Sequence, residues 1–559
     1  MQNLHTFKTV EQAINNAIID HLKSRYEIND DDLNRIKRYT LVEIPSEKEY
    51  GDIAITVAMR LAKHLKEPPS KIAESIVKAV EGCGITFESV DIAEPGFVNL
   101  RLGWNILLDT LYEAINNREY SCWDILKKND GAPLSIQVEF VSANPTGPLN
   151  IVNARASALG LALSNLLGKM GAEVEKEYFV NDRGRQIDLL AESILTAKKI
   201  EDGEDVRYPD EGYKGRYIEE LASEMNKDLY RMGDIKGIGV WASEKIRKEQ
   251  ERVLRDFGVE FDRWYHQSYI TDEEYNNVLN TLRDRNALYE ADKAVWIKTS
   301  EYGDVQDWVL ITSDGRYTYH LADLAYHINK YRRRYDRVIN ILGPDHHAHM
   351  AMMMAGVKAL GIPEGWLEII IAQQVNIVEK GKRLKMGKRL GRYITMEELM
   401  KEVSPDVCKF FFLDRAPSAH IDFDFEVAKK TSLENPVFYI QYAYARIESL
   451  RREATRAGIL IPDNLQVNMG LYGEEEKEIA REVFYYPQVV KMSAMGRKTQ
   501  LLTCYLHNLA GKFHRYYTRN RILGVDRDLS YARQLLSLSV ASVIRDGLNV
   551  LGISAPERM

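Results

Sequence analysis

SIQVEFVSANPTGPLNIVNARASALGLALSNLLGKM, residues 135–170, decides the fold. Its first seven residues (135–141) have the β-branched and aromatic content of a strand, and SANPTGPLN is a run of turn formers. IVNARASALGLALSNLLGKM then has the length and apolar content of a buried helix, closing at Gly171. Strand, loop, helix is how a parallel α/β domain opens, with the loop at the carboxyl edge of the sheet. Such a loop offers backbone N–H groups and a helix N-terminus to nucleotide phosphates. Taken alone, the segment is equally well a tight turn punctuated by Pro145, Gly147 and Pro148.

Other pieces of the same sheet follow. EVEKEYFVNDRGRQI (173–187) reads as a second strand with its loop, and RVINILGPDHH (337–347) and LEIIIAQQVNIV (367–378) read as later strands. A charged helical stretch at about 190–290 reads as an insertion. The expected fold class is therefore α/β, with a Rossmann-type domain over 113–395. Ahead of it, residues 1–112 begin with a helical pattern (Val10, Ile14, Ala17, Ile18) and end on the strand-like PGFVNLRL, an α+β unit. NNREYSCWDILKKNDGAPL (116–134) lacks periodicity and reads as a linker. Residues 396–559 are almost wholly helical in pattern, as expected of an all-α bundle.

Lys+Arg 75 against Asp+Glu 82 leaves a net charge of −7, so any nucleic-acid footprint must be local rather than spread over the surface. Four scattered cysteines without a CxxC pair argue against a disulfide framework and against a cysteine zinc site, and fit a reducing cytoplasm. The N-terminus has no signal-peptide pattern, and the most apolar window (149–168) is broken by Arg155, so no membrane span is expected.

A second element lies far downstream. KGKRLKMGKRLGRYITMEEL (380–399) is a basic loop able to reach the same phosphates as a clamp, although charge runs are usually only solvated surface. Together the two elements resemble the paired signatures of class I aminoacyl-tRNA synthetases, with PTGPLNIVN in the place of the HIGH motif and Lys385-Met386-Gly387-Lys388-Arg389 in that of KMSK. VEFVSANPTGPL, KEYFVNDRGRQI, DGRYTYHLADLAYH, GPDHH, NPVFYIQYAYARI and LNVLGISAPERM, in this order, narrow the resemblance to bacterial-type arginyl-tRNA synthetases.

The resemblance implies an arginine–tRNA ligase with ATP as substrate, Mg²⁺, L-arginine and tRNA(Arg), whose arginine activation needs bound tRNA; a monomer in the cytoplasm is expected. It implies that Asn150, Asn153, Lys385 and Lys388 stabilise the reacting phosphates, with Gly147, Pro148, Gly343, Asp345, His346 and Met386 around ATP. The arginine pocket would hold Tyr319 and Asp323, four apart and so on one helix face, with Glu139, Asn144 and, less strongly supported, Gln373. For Tyr319 the plain alternative is core packing. Asp345-His346-His347-Ala348-His349 invites a metal reading, but its place after a strand at the sheet edge suits ribose and adenine better, and a purely structural histidine pair is the plain alternative. In the bundle, Tyr442, Tyr444 and Arg446, and His514-Arg515-Tyr516-Tyr517, interleave bases with aromatics, as stacking on anticodon bases requires; Tyr442, Arg446 and Tyr517 are the expected tRNA contacts. Residues 1–112 correspond to the family's domain that touches the tRNA elbow.

The chain departs from the pattern at its first signature, Asn150-Ile151-Val152-Asn153. Asparagine donates hydrogen bonds but carries no positive charge, and Val152 stands where glycine lets adenine approach. Gly387 replaces the serine of the second signature. The rival expectation is a catalytically impaired paralogue that binds tRNA or arginine for regulation. A third, another nucleotidyl transfer on the same fold, has the arginine-pocket pattern against it.

Overall fold

The computed structural model describes residues 5–26, 42–344, 347–379, 382–384, 394–461 and 467–559. The first helix, Phe7–Arg25, starts at a Thr6/Thr9 capping box and buries Phe7, Val10, Ile14, Ile18 and Leu22 at helical spacing. With helices Val57–Leu65 and Pro69–Glu81 it belongs to an α+β unit whose antiparallel sheet runs Val42–Glu43, Ile53–Ile55, Phe97–Arg101, Ser89–Ala93.

The central sheet is five-stranded and wholly parallel, in the order Leu367–Ile371, Arg337–Leu342, Ser135–Phe140, Glu173–Val180, Arg263–His266. The chain runs outward from the Ser135–Phe140 strand on one side, then returns to fill the other. The order therefore reverses between Ser135–Phe140 and Arg337–Leu342, and the crevice at their carboxyl ends is the place such sheets bind ligands. Both strands are buried on both faces, as parallel strands covered by helices must be.

Three expectations are corrected. The 367–378 run is two strands, Leu367–Ile371 in the central sheet and Val375–Glu379 in a small sheet with Lys382–Leu384 and Ile421–Asp424. The break falls where Gln373 N donates to Pro417 O and Arg155 takes Gln373 O. The stretch read as a helical insertion includes Arg263–His266, the edge strand of the central sheet, and runs on into an antiparallel three-stranded sheet (Leu288–Ala291, Ala294–Ile297, Trp308–Ile311). The stretch read as a linker is docked, with Tyr120, Trp123 and Leu126 buried.

That docking has a specific cause. Helix Glu474–Met495 contains Pro487, which has no N–H to give Val483 O, four residues earlier. Tyr120 OH donates to that carbonyl at 2.7 Å, and Trp123 Nε1 donates to Pro487 O at 2.8 Å. The remaining long bundle helices are Pro436–Arg456, Thr499–Arg519 and Arg527–Val550. Asp546 joins bundle to sheet domain, accepting from Ser121, Tyr486 and, at 2.7 Å, from Lys169 at the end of the Ile151–Lys169 helix. No helix among the described residues is long and apolar enough to cross a membrane.

Candidate active site

The loop after the Ser135–Phe140 strand turns through two non-glycine residues at positive φ, Val141 (69°) and Ser142 (37°), a conformation costly for a β-branched side chain. Neighbouring bonds hold it. Ser142 Oγ donates to Glu139 Oε1 (2.9 Å) and accepts from Phe179 N (3.1 Å). Gln250 Nε2, on helix Ile235–Asp256, donates to Asn144 O (3.1 Å) and Gly147 O (2.9 Å). The buried Tyr178 hydroxyl accepts from Ala143 N, with Ala143 O and Gln250 Oε1 each 3.0 Å away for its own proton. Tyr217 OH donates to Thr146 O at 3.1 Å. The charged helices of the 190–290 stretch thus act on the signature loop directly. Pro148 continues this loop, half-buried, while the Asn144 side chain donates to Gln186 Oε1 at 2.6 Å.

Asn150 is the N-cap of the Ile151–Lys169 helix. Its Oδ1 accepts from Val152 N (2.8 Å) and Asn153 N (3.2 Å), and Asn153 Oδ1 accepts from Asn150 N (2.9 Å), a reciprocal capping box. Asparagine is among the best N-caps, so the altered signature makes local structural sense. Each amide spends its oxygen on the helix end and keeps its NH₂ group as a donor. Val152 is half-buried against the core. Thr395 bridges to Asn150, and Met396 N donates to Leu149 O at 2.8 Å, so the residues just after the second signature are pinned to the first. Lys385, Met386 and Lys388 themselves, with Asp345 and His346, lie outside the described residues. Gly343 follows the Arg337–Leu342 strand at the carboxyl edge.

Tyr319 and Asp323 occupy the start of helix Tyr319–Arg332. Tyr319 is 61% exposed, which removes core packing as its role. From Asp323 a polar chain runs across the switch point. Lys330 is fully buried and can only donate; its Nζ lies 2.5 Å from Glu139 Oε2 and 3.0 Å from Asn340 Oδ1. Asn340 therefore turns its NH₂ to His327 Nε2 (3.0 Å), leaving Nδ1–H of that ring to donate to Asp323 O (2.8 Å). Burial, helped by the Lys330 charge, pushes the His327 imidazole down to about 3, so it stays neutral. His349 Nε2 stands 2.8 Å from Asp323 Oδ2.

Sequence reasoning missed Gln250, Lys330 and Arg155. Arg155, fully buried in the signature helix, donates to Gln373 O (2.7 Å), Ala416 O (2.9 Å) and Pro417 O (3.2 Å). Burial lowers its guanidinium to about 10, still charged at neutral pH. A lone arginine inside an apolar helix was the available signal, because a buried charge needs partners.

In the bundle, Arg446 lies between two rings, its Cζ 4.5 Å from the Tyr442 centroid and 4.7 Å from that of Tyr517, with Nη2 donating to Tyr442 OH at 3.0 Å. His514 joins them, 3.3 Å from Arg446 Nη1. Tyr444 and Tyr516 are 3% and 1% exposed and belong to the core, so the plain packing reading holds for those two.

Three family models match: arginyl tRNA synthetase N-terminal domain at 8–102, the class I (R) tRNA synthetase catalytic domain at 125–408, and the DALR anticodon binding domain at 440–559. An arginine–tRNA ligase from Symbiobacterium thermophilum is 39% identical over 529 residues, covering 93% of this chain and 94% of that protein. One from Geobacter metallireducens is 39% identical over 540 residues, covering 93% and 95%. The solved Thermus thermophilus arginyl-tRNA synthetase superposes with a TM-score of 0.74 at 20% identity, covering 98% of this chain and all of that one, a likeness of fold. With its capped signature loop at the switch point of a parallel sheet and relatives matched nearly end to end, the chain belongs to the class I arginyl-tRNA synthetases.

Proposed function

We infer that this protein is an arginine–tRNA ligase that uses ATP to activate L-arginine and transfers it to tRNA(Arg). The arginine carboxylate attacks the α-phosphorus of ATP, forming an O–P bond as pyrophosphate leaves. A terminal ribose hydroxyl of the tRNA then attacks the arginyl carbonyl and AMP departs. Asp323 and Tyr319 take the guanidinium, with Glu139, Asn144 and Gln373 completing the amino-acid pocket. Gly147, Pro148, Gly343, Asp345, His346 and Met386 surround the nucleotide. Asn150 and Asn153, through their NH₂ groups, and Lys385 and Lys388 stabilise the developing phosphate charge. Mg²⁺ arrives with ATP as part of the nucleotide substrate. Residues 1–112 contact the tRNA elbow, 113–395 carry the chemistry, and 396–559 read the anticodon through Tyr442, Arg446 and Tyr517. The protein acts as a monomer in the cytoplasm.

One observation carries this reading. The polar chain from the Asp323 backbone carbonyl through His327, Asn340 and Lys330 ends on the Glu139 carboxylate, and so ties the helix that carries the Asp323 side chain to the strands at the crevice where the capped loop ends. The capping box also favours a second reading, a paralogue that binds tRNA or arginine without making adenylate, since neither asparagine brings positive charge to the phosphates. Amino-acid-dependent exchange of pyrophosphate into ATP, with tRNA present, separates the two. Exchange with arginine and not with lysine or citrulline supports the ligase; none with any amino acid supports the paralogue.

A further inference from the structure

The nucleotide reading of the 345–349 stretch leaves His349 without a task. It stands on helix His347–Ala359, opposite helix Tyr319–Arg332, with its side chain 18% exposed against 25% for Asp323. The ring centroid lies 5.7 Å from that of Tyr319 and 5.9 Å from that of His320. The carboxylate meant for the guanidinium therefore already has a nitrogen donor at 2.8 Å, delivered from the opposite helix.

The two protonation states of that donor have different consequences. A neutral imidazole can share Asp323 with a guanidinium, because a carboxylate offers about four lone-pair sites. An imidazolium there sets two cations side by side in a half-buried pocket, where repulsion is weakly screened. Among the described residues, three elements bring charged or titratable groups towards it. The facing helix brings Tyr319, His320, Asp323 and His327; the Ser135–Phe140 strand brings Glu139, which is held by Lys330; and the turn Thr299–Tyr302, packed against the helix of His349, carries Glu301 and Tyr302, with Asp304 just beyond it acting on His320. On its own helix the His347 side chain lies outside the described residues, as do Asp345 and His346 just before it. Burial pushes His320 down to about 4 and His327 to about 3, so neither is a cation near neutrality. Burial lowers His349 too, but its bond to Asp323 and the charges of Asp323 and Glu139 outweigh that and hold it above its ordinary value.

We propose that His349 is a positioning residue of the arginine pocket: as imidazolium it holds the Asp323 carboxylate while the pocket is empty, and it releases its proton to solvent when the substrate guanidinium takes that carboxylate. The proposal rests on reading Asp323 as the guanidinium partner. Only the His349 N–H bond breaks, and the proton passes to buffer. Arginine affinity then falls by up to about tenfold per pH unit below the His349 value, while ATP affinity does not follow it.

Calorimetric titration of the full-length protein with L-arginine, in two buffers of different ionisation heat, counts the protons released. The parent should release up to one proton near neutrality. His349→Gln keeps a donor to Asp323 but cannot titrate, so it should release none and bind with an affinity unchanged between about pH 6 and about pH 8. A parent that binds arginine without releasing protons overturns the proposal whether or not the variant folds, as does unchanged release from His349→Gln. Asp323→Asn separates the two levels. Lost arginine binding in that variant, beside a parent that releases no proton, leaves the pocket standing and removes the role of His349. Undiminished binding removes the pocket reading and the proposal with it.

Discussion

Lys330 Nζ lies 2.5 Å from Glu139 Oε2, and neither side chain reaches solvent appreciably, at 0% and 7% exposed. Glu139 and Asn340 are opposite one another in adjacent parallel strands, so one ammonium ties the two strands that flank the switch point. Lys330→Met leaves a buried carboxylate uncompensated and should cost about 3–5 kcal/mol of stability. Adding Glu139→Gln should recover part of that loss, because the stranded charge is gone. Denaturant unfolding of the three variants checks both statements, and an unchanged midpoint for Lys330→Met would show that the pair does not hold the strands.

Acid should destabilise the sheet domain through its buried histidines. His327 and His320 titrate in the folded protein at about 3 and about 4, below the free imidazole value of about 6.5. The unfolded chain therefore takes up protons that the folded chain refuses. Their contribution is complete above about pH 6.5 and drains away as pH falls towards those folded values. His327→Gln can still donate to Asp323 O and accept from Asn340 without titrating, so its stability should fall less steeply over this window. A parallel decline of parent and variant would assign the acid sensitivity elsewhere.

Asp323→Asn should raise the KM for arginine far more than that for ATP, because it removes the countercharge to the guanidinium and leaves the signature loop alone. Separate KM measurements decide. Equal effects on both substrates would refute the assignment.

Arg446→Met tests the bundle without dismantling it; deleting residues 396–559 would strip the cover from Tyr120 and Trp123. Loss of the cation between Tyr442 and Tyr517 should weaken tRNA binding by about 1–3 kcal/mol and lessen its salt dependence. Filter binding across a salt series is the readout, and full affinity in the variant would place anticodon contact elsewhere.

Much of this architecture was legible in local pattern. The 135–141 strand, the helix ending at Gly171 and the strand at 337–342 each announce themselves through periodicity and turn residues. Arg263–His266 did not, because four residues between charged helices carry too little pattern, and only pairing with Glu177–Val180 makes them a strand. The 367–378 run hid its break at Ala372–Gln374, which Arg155 and Pro417 impose from distant parts of the chain. Tyr319 and Asp323 were visible as an i, i+4 pair. Lys330 and Gln250 were not, since nothing near them in sequence says that their partners are Glu139 and the 144–147 carbonyls. The capping role of Asn150 is readable from Asn-x-x-Asn at a helix start, while its difference from HIGH shows only as a missing charge.

Whether an asparagine-capped signature loop still supports arginine transfer is read from the rate at which the unmodified chain charges tRNA(Arg). Losing one transition-state donor typically costs about 2.7–4 kcal/mol, a hundredfold or more in rate. The parent should form a base-labile arginyl ester in an ATP-dependent reaction, accelerated by Asn150→His with Val152→Gly, which restores a cation and an open seat for adenine together. Tight tRNA binding with no charging by the parent or the double variant would contradict that expectation.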